Sequence, residues 1–157
     1  MEDSDAEVLS NVKSMNVSGC TYVSFPAKGF PKAKKLKTVH IRLLELFHFN
    51  AGIFPVASNL IIEDINELII DSFVGYSSLV NVEFRNVVLN EISEDVFKEL
   101  KNLEKLIFQN ASINTIAGQS LSMPVSNPKL SVKFSNCKVS RPIFGNKNKI
   151  IQKKGGG

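Results

Sequence analysis

The chain has 157 residues and a mass of 17.4 kDa, and its 43% hydrophobic and 22% charged residues indicate one soluble globular domain with a real core. A formal net charge of +4 is too small an excess of cations for a dedicated nucleic-acid binder, so nucleic acid is an unlikely partner. The most apolar stretch, residues 59–70, is interrupted by acidic residues and falls short of the roughly 20 apolar residues that a membrane helix needs, which argues against a membrane span.

A repeating pattern fills most of the chain. Residues 1–11 are acidic and are expected to form an N-terminal cap or tail, and residues 12–140 form the repeat. Residues 118–127 are an extra loop, and residues 141–157 are expected to be a C-terminal cap with a basic, glycine-ended tail. The repeat is clearest where apolar residues and one asparagine recur 24 positions later: Leu79, Val82, Phe84, Asn86, Leu89 and Ile92 are followed by Leu103, Leu106, Phe108, Asn110, Ile113 and Ile116. By the same spacing, Ile62 falls at the position of Asn86.

Residues 79–102 show what one repeat unit contains. Residues 79–85 alternate apolar and polar side chains, which is typical of a short strand with one buried face. Asn86 follows where a side-chain amide can satisfy turn backbone groups. Residues 93–100 then place a hydroxyl before two acids and apolar residues, which predicts a short capped helix. Units of this kind must stack to bury their apolar side chains, so the sequence predicts an α/β solenoid of about six coils, each of roughly 24 residues, with one parallel sheet.

These residues resemble the leucine-rich repeat family over roughly residues 12–140. The linkage Val-Phe-x-x-Leu-x-Asn-Leu at residues 96–103 is similar to the animal extracellular type. The asparagines fall one place earlier than in the usual pattern, and no cysteine-rich cap flanks the repeat, so the chain looks like a divergent or fragmentary member. The resemblance implies a concave parallel sheet and helical or irregular convex returns. A parallel β-helix with shorter coils is the structural alternative.

No catalytic or metal constellation is present in the sequence, so the protein is expected not to be an enzyme and to need no cofactor. His40 and His48 are eight apart without a third ligand, and they are interpreted as a surface and a loop histidine. Glu91, Glu94 and Asp95 are typical of turns and helix starts.

Cys20 and Cys137 occupy the same place in the first and last units. Five strand spacings of about 4.8 Å would separate them by roughly 24 Å, which is too far for a disulfide. Two unlinked, largely buried thiols are therefore expected.

Side chains that point out of the concave sheet should form columns along the solenoid. The spacing predicts one column through His40, Asn59, Glu83 and Ile107, and a second through Arg42, Ile61, Arg85 and Gln109. Exposed isoleucine beside arginine is typical of an interface centre, although strand propensity alone would also explain the isoleucines. The predicted ligand-binding residues are His40, Arg42, Ile61, Glu83, Arg85, Lys105, Ile107 and Gln109.

Two sequons, at Asn16 and Asn110, predict glycosylation and an extracellular or secreted protein whose leader is absent from this chain. A cytoplasmic location is the alternative. A glycan on Asn16 would block one end of the concave face. Asn110 lies at the strand-to-turn junction, where it could instead be a buried turn amide.

The sequence thus predicts a non-catalytic module that binds a protein or peptide through its concave face, a function that rests on fold-level analogy. One alternative is a structural or assembly subunit that associates with itself or another chain through its solenoid ends. Another is weak binding of an anionic polysaccharide by the lysines of residues 28–37.

Overall fold

The computed structural model of the protein describes residues 10–22, 33–49, 53–93, 96–117, 129–142 and 152–153. The regular structure in this part of the chain consists of strands, and it contains no helix. The strands are β1 (Ser14–Tyr22), β2 (Thr38–Phe49), β3 (Asn59–Ile70), β4 (Asn81–Ile92), β5 (Lys105–Gln109), β6 (Ser112–Ile116), β7 (Ser131–Ser135), β8 (Lys138–Pro142) and β9 (Gln152–Lys153).

Every paired strand runs parallel to its neighbour, which makes the fold a parallel β-solenoid. The first part of each long strand belongs to a first ladder, in which the order is β1-β2-β3-β4-β5-β7-β9. The later part of β4 pairs with β6, and β6 pairs with β8, so a second ladder continues beside the first. The predicted solenoid architecture is therefore confirmed.

The core lies between the ladders and the returns. In the first ladder the alternate side chains that point inward are apolar, and the phenylalanines among them stack from coil to coil. The ring centroids of Phe84 and Phe108 are 4.9 Å apart, and those of Phe108 and Phe134 are 4.8 Å apart with an interplanar angle of 4°. Phenylalanine recurs at this position in β4, β5 and β7, where each ring packs on its equivalent in the next coil, and β2 and β3 have Ile41 and Ile62 there.

The returns in the described part of the chain consist of tight turns. The predicted helix over residues 93–100 is wrong for the described residues of that segment, which do not include Glu94 and Asp95. Leu100 N–H donates to the Phe97 carbonyl at 3.1 Å, and Leu103 N–H donates to the Leu100 carbonyl at 3.2 Å. Each bond joins residues three apart and closes a tight turn. The two consecutive turns direct Phe97, Leu100 and Leu103 into the core, where all three are buried. Apolar residues three apart are compatible with a short helix and with such turns, and a short helix has a costly nucleus. The fold class is therefore not α/β in the described residues.

The number and length of the coils also differ from the prediction. The described chain forms about four coils rather than six, because the returns after β1 and β6 lie mostly outside the described residues. Hydrogen-bonded side chains at equivalent positions are 21 residues apart between β2 and β3, 22 between β3 and β4, and 24 between β4 and β6. These lengths exceed the short coils of the parallel β-helix alternative, although the absence of helix from the described residues agrees with it.

Both cysteines are unlinked, as expected. They occupy one column, because Cys20 pairs with Leu44 of β2 and Cys137 follows the equivalent bend before β8. The expected burial is wrong, since Cys20 is exposed and Cys137 is half-buried. Both lie at the ends of the described ladders, where there are fewer neighbouring coils to cover them.

Candidate binding face and corner groove

The structure brings the eight predicted binding residues onto the outer face of the first ladder. Strand β2 contributes two of them, β3 one, β4 two and β5 three. Successive side chains of a strand point to opposite faces. Val39 and Ile41 point inward and are fully buried, so His40 and Arg42, which alternate with them, point outward. Their role in binding stays a prediction.

The columns on this outer face differ from the predicted ones at β3. Ile61 pairs with His40 and Glu83, and Glu63 pairs with Arg42 and Arg85. The 24-residue spacing shifts this strand by two positions, because the coil between β3 and β4 has 22 residues. Ile62 therefore lies beside Phe84 in the core, and Asp64 takes the place opposite Asn86.

Glu63 is the centre of an ion-pair network that the sequence did not predict. Its carboxylate lies 3.5 Å from His40 Nε2 and 3.7 Å from Arg85 Nη1, and Arg85 also pairs with Glu83. His40, in β2 like His48, is half-buried, as Arg42 is. Within the described residues, the Arg42 Nε atom is buried without a hydrogen-bond partner. The paired side chains are half-buried and still in contact with solvent, which screens them, so this network mainly sets the charge pattern of the face.

The chain bends sharply at one residue in each of six stacked strand segments, just after the first ladder. Gly19, Leu43, Asp64, Asn86, Asn110 and Asn136 occupy equivalent positions, and all have a positive φ between 51° and 75°. This left-handed conformation is readily adopted by glycine and, among other residues, mainly by asparagine and aspartate. The asparagines that sequence periodicity assigned to a turn therefore mark a backbone bend that recurs along the solenoid. We call these six residues the corner column.

Side-chain amides connect neighbouring coils along the corner column. Asn86 Nδ2 donates to Asp64 Oδ1 at 2.7 Å, and Asn136 Nδ2 donates to Asn110 Oδ1 at 2.6 Å. These side chains are exposed or half-buried, so each amide keeps hydrogen-bonding capacity for solvent or a ligand. The bonds hold the amides in fixed orientations without exhausting them.

A groove runs along the corner column. Its larger part has a volume of about 910 Å³ and is lined by Arg85 and Gln109 of the predicted set, together with Glu63, Ser112, Lys138 and four corner residues. Its smaller part, of about 510 Å³, extends to Leu43, Glu45 and Asn66 and shares Asp64 and Asn86 with the larger part. The groove therefore crosses several coils, and most of the residues that line it are polar. We call it the corner groove.

Leu43 is the exception in the corner column. It adopts φ 58°, yet it has a bulky apolar side chain that cannot hydrogen-bond locally to compensate. The side chain is 46% exposed, so it gains little from burial in the folded chain. Leu43 is thus unfavourable both in its backbone conformation and in its exposure.

Both sequon asparagines are exposed. Asn16 points outward from β1, and Asn110 lies in the corner groove, so the alternative of a buried Asn110 amide is wrong. A glycan on Asn110 would fill part of this groove. Glycosylation at either site stays a prediction.

The described residues contain no group of three or more His, Cys, Asp or Glu side chains that could hold a metal ion. His48 lies in β2, not in a loop as expected, and it pairs with the exposed Asp71. The described chain also has no helix long and apolar enough to cross a membrane.

No protein-family model matches the chain, and neither the curated proteins nor the solved structures include a significant match. The resemblance to leucine-rich repeats is therefore a hypothesis that rests on the quoted residues alone.

Sequence reasoning missed the corner groove because it treated the turn asparagines as structural. The recurring Asn86, Asn110 and Asn136 were a usable signal, since exposed amides at equivalent positions of stacked coils must form a row. Leu43 gave no such signal, because an apolar residue within a strand pattern is typical of the core.

Proposed function

We propose that the protein is a non-catalytic module that binds a protein or peptide ligand through the outer face of the first ladder. Recognition uses the side chains that β2, β3, β4 and β5 present side by side. Arg42, Arg85 and Lys105 provide cations, Glu83 an anion, and Ile61 and Ile107 apolar contact area.

The single observation that supports this proposal most strongly is the mixture of groups in two adjacent columns. Ile61 and Ile107 are half-buried and flank Glu83, because all three belong to the column that contains His40. Arg42 lies in the next column with a buried, unpaired Nε atom. Apolar side chains surrounded by arginine and acidic groups are typical of the centre of a protein interface.

The test is an affinity capture with the wild-type chain and the triple variant Arg42→Glu, Arg85→Glu, Ile107→Ser. A matched control changes Lys98→Glu, Lys101→Glu and Val74→Ser, three exposed residues of the returns. Circular dichroism and urea unfolding establish that both variants are folded. A protein captured by the wild type and the control but lost by the triple variant supports the proposal, and a partner retained by all three chains contradicts it.

A further inference from the structure

The corner groove combines two features that a surface without a ligand would not need together. Its polar part presents amides held in fixed orientations by bonds between coils, as in the pair of Asn110 and Asn136. Its other end presents Leu43, which is exposed and strained. The other described corners are occupied by glycine, aspartate or asparagine, which adopt this conformation more readily.

Leu43 has no structural reason to be leucine. Asparagine in its place would relieve the backbone strain and add no buried polar group, because the side chain already faces solvent. Residues held in unfavourable conformations are often found at ligand sites, where a bound partner offsets the cost. An exposed leucine at one end of a polar groove would contact an apolar group of such a partner.

The amides define the rest of the ligand. An asparagine side chain both donates and accepts hydrogen bonds, as does each peptide unit of an extended backbone. Among the described residues that line the groove there is no aromatic side chain on which a sugar ring could stack. The groove therefore suits a polypeptide better than a saccharide.

We propose that the corner groove binds an extended polypeptide segment of another protein, whose apolar side chain packs on Leu43 and whose backbone hydrogen-bonds to the corner amides. This inference rests on the proposed function and assigns its ligand a site next to the face described above. Arg85 and Gln109 belong to both surfaces, so one partner can contact both.

The test uses linear random peptides displayed on phage and panned on the immobilised chain, which is produced without N-glycosylation so that Asn110 is bare. The affinities of enriched, synthesised peptides are then measured for the wild type, Leu43→Asn and Leu43→Met. Val74→Asn is the matched control, because Val74 is 52% exposed and lies on a return away from the groove.

We expect Leu43→Asn to weaken peptide binding about tenfold or more, because the apolar contact is lost. Its urea midpoint should not fall, so the loss cannot be ascribed to unfolding. Leu43→Met should bind within about threefold of the wild type, since methionine keeps the apolar contact. Val74→Asn should bind like the wild type.

Three results would overturn the inference. If the peptides bind Leu43→Asn as tightly as the wild type but bind the double variant Ile61→Ser, Ile107→Ser more weakly, the groove is not their binding site, and the proposed function still holds. Loss of peptide binding by Val74→Asn as well would show that the Leu43 effect is not specific to the groove. Failure to enrich any peptide would also overturn it, and the affinity capture would then decide separately whether the proposed function holds.

Discussion

The inner phenylalanine column and the corner column run along the same coils, a few residues apart, and they tolerate variation differently. The inner column is apolar throughout: Phe84, Phe108 and Phe134 are buried and stacked, and the buried Ile41 and Ile62 occupy the equivalent positions of β2 and β3. The corner column is conserved in backbone conformation, while its side chains range from glycine to leucine. Packing fixes the first column because its buried side chains contact their equivalents, whereas the second is fixed by φ and by hydrogen bonds between some of its side chains, which keep further donors and acceptors facing solvent.

The largest expected effect is in the inner column. Phe108→Ala should lower the free energy of unfolding by about 3 to 5 kcal/mol, because it leaves a cavity between two stacked rings. Urea denaturation measures the change, with the exposed neighbour Gln109→Ala as control, expected within about 0.5 kcal/mol of the wild type. Similar losses for the two variants would contradict the inward and outward assignment of this strand.

A polar group inside the core gives the next effect. Tyr76 is fully buried, and its hydroxyl oxygen accepts a hydrogen bond from Ile53 N–H at 2.8 Å. Tyr76→Phe leaves this buried donor unpaired and should cost about 1 to 3 kcal/mol, as measured by urea denaturation at neutral pH. Ser77→Ala, at an exposed neighbouring position, should have little effect.

The same pair predicts a pH dependence. Burial raises the pKa of Tyr76 well above its ordinary value, so the folded chain keeps the proton at a pH where the unfolded chain loses it. Stability from this group is complete below the ordinary pKa of about 10 and is lost as the pH rises toward the folded value. The stability difference between wild type and Tyr76→Phe should therefore narrow above about pH 10. A difference that stays constant up to the highest pH at which the chain folds would contradict the burial of this hydroxyl.

Substitutions at two positions of the corner column should change the free energy of unfolding in opposite directions and by smaller amounts. Leu43→Asn should stabilise the chain by about 1 kcal/mol, because asparagine adopts the left-handed conformation more readily. Asn86→Leu should destabilise it by about 1 to 2 kcal/mol, since it introduces that strain and removes the bond to Asp64. Thermal or urea unfolding measures both, and equal signs would show that the two positions are not equivalent.

The smallest effect is expected on the outer face. Glu63→Gln removes the negative charge that faces His40 and Arg85, yet it should cost only about 0.5 kcal/mol, because these half-buried ion pairs are still partly screened by solvent. The difference should shrink further at about 1 M salt, where screening is stronger. A loss as large as that of Tyr76→Phe would mean that the network is structural.

The sequence predicted the strands whose inward residues repeat from coil to coil. It did not predict the conformation of the returns between them. The spacing of Phe84 and Phe108 correctly predicted parallel stacking. Asn86, expected in a turn, lies at a bend inside β4, and Asn110 lies at the equivalent bend after β5. The spacing of Phe97 and Leu100 did not distinguish a helix from successive turns, because both turn every third residue inward.

The register of β3 shows a second limit. Ile62 is apolar like Phe84 but was aligned with Asn86, since a period of 24 was carried back through a coil of 22 residues. A shift of two residues keeps the alternation of an extended strand unchanged, so the mismatch of apolar Ile62 with Asn86 was the visible sign of the error. The outer columns, and with them the role of Glu63, depended on that register.

The register between β3 and β4, on which the outer columns and the corner column depend, is tested most directly by disulfide formation between engineered cysteines. In a background with Cys20→Ser and Cys137→Ser, the pair Ile61→Cys, Glu83→Cys is compared with the pair Asn59→Cys, Glu83→Cys. Ile61 and Glu83 are direct partners, whereas Asn59 is two residues out of register and about 8 Å from Glu83 between Cα atoms. Intact-mass measurement after mild oxidation should show an intramolecular bond in the first pair only; a bond in the second pair alone would contradict the register and the corner column built on it.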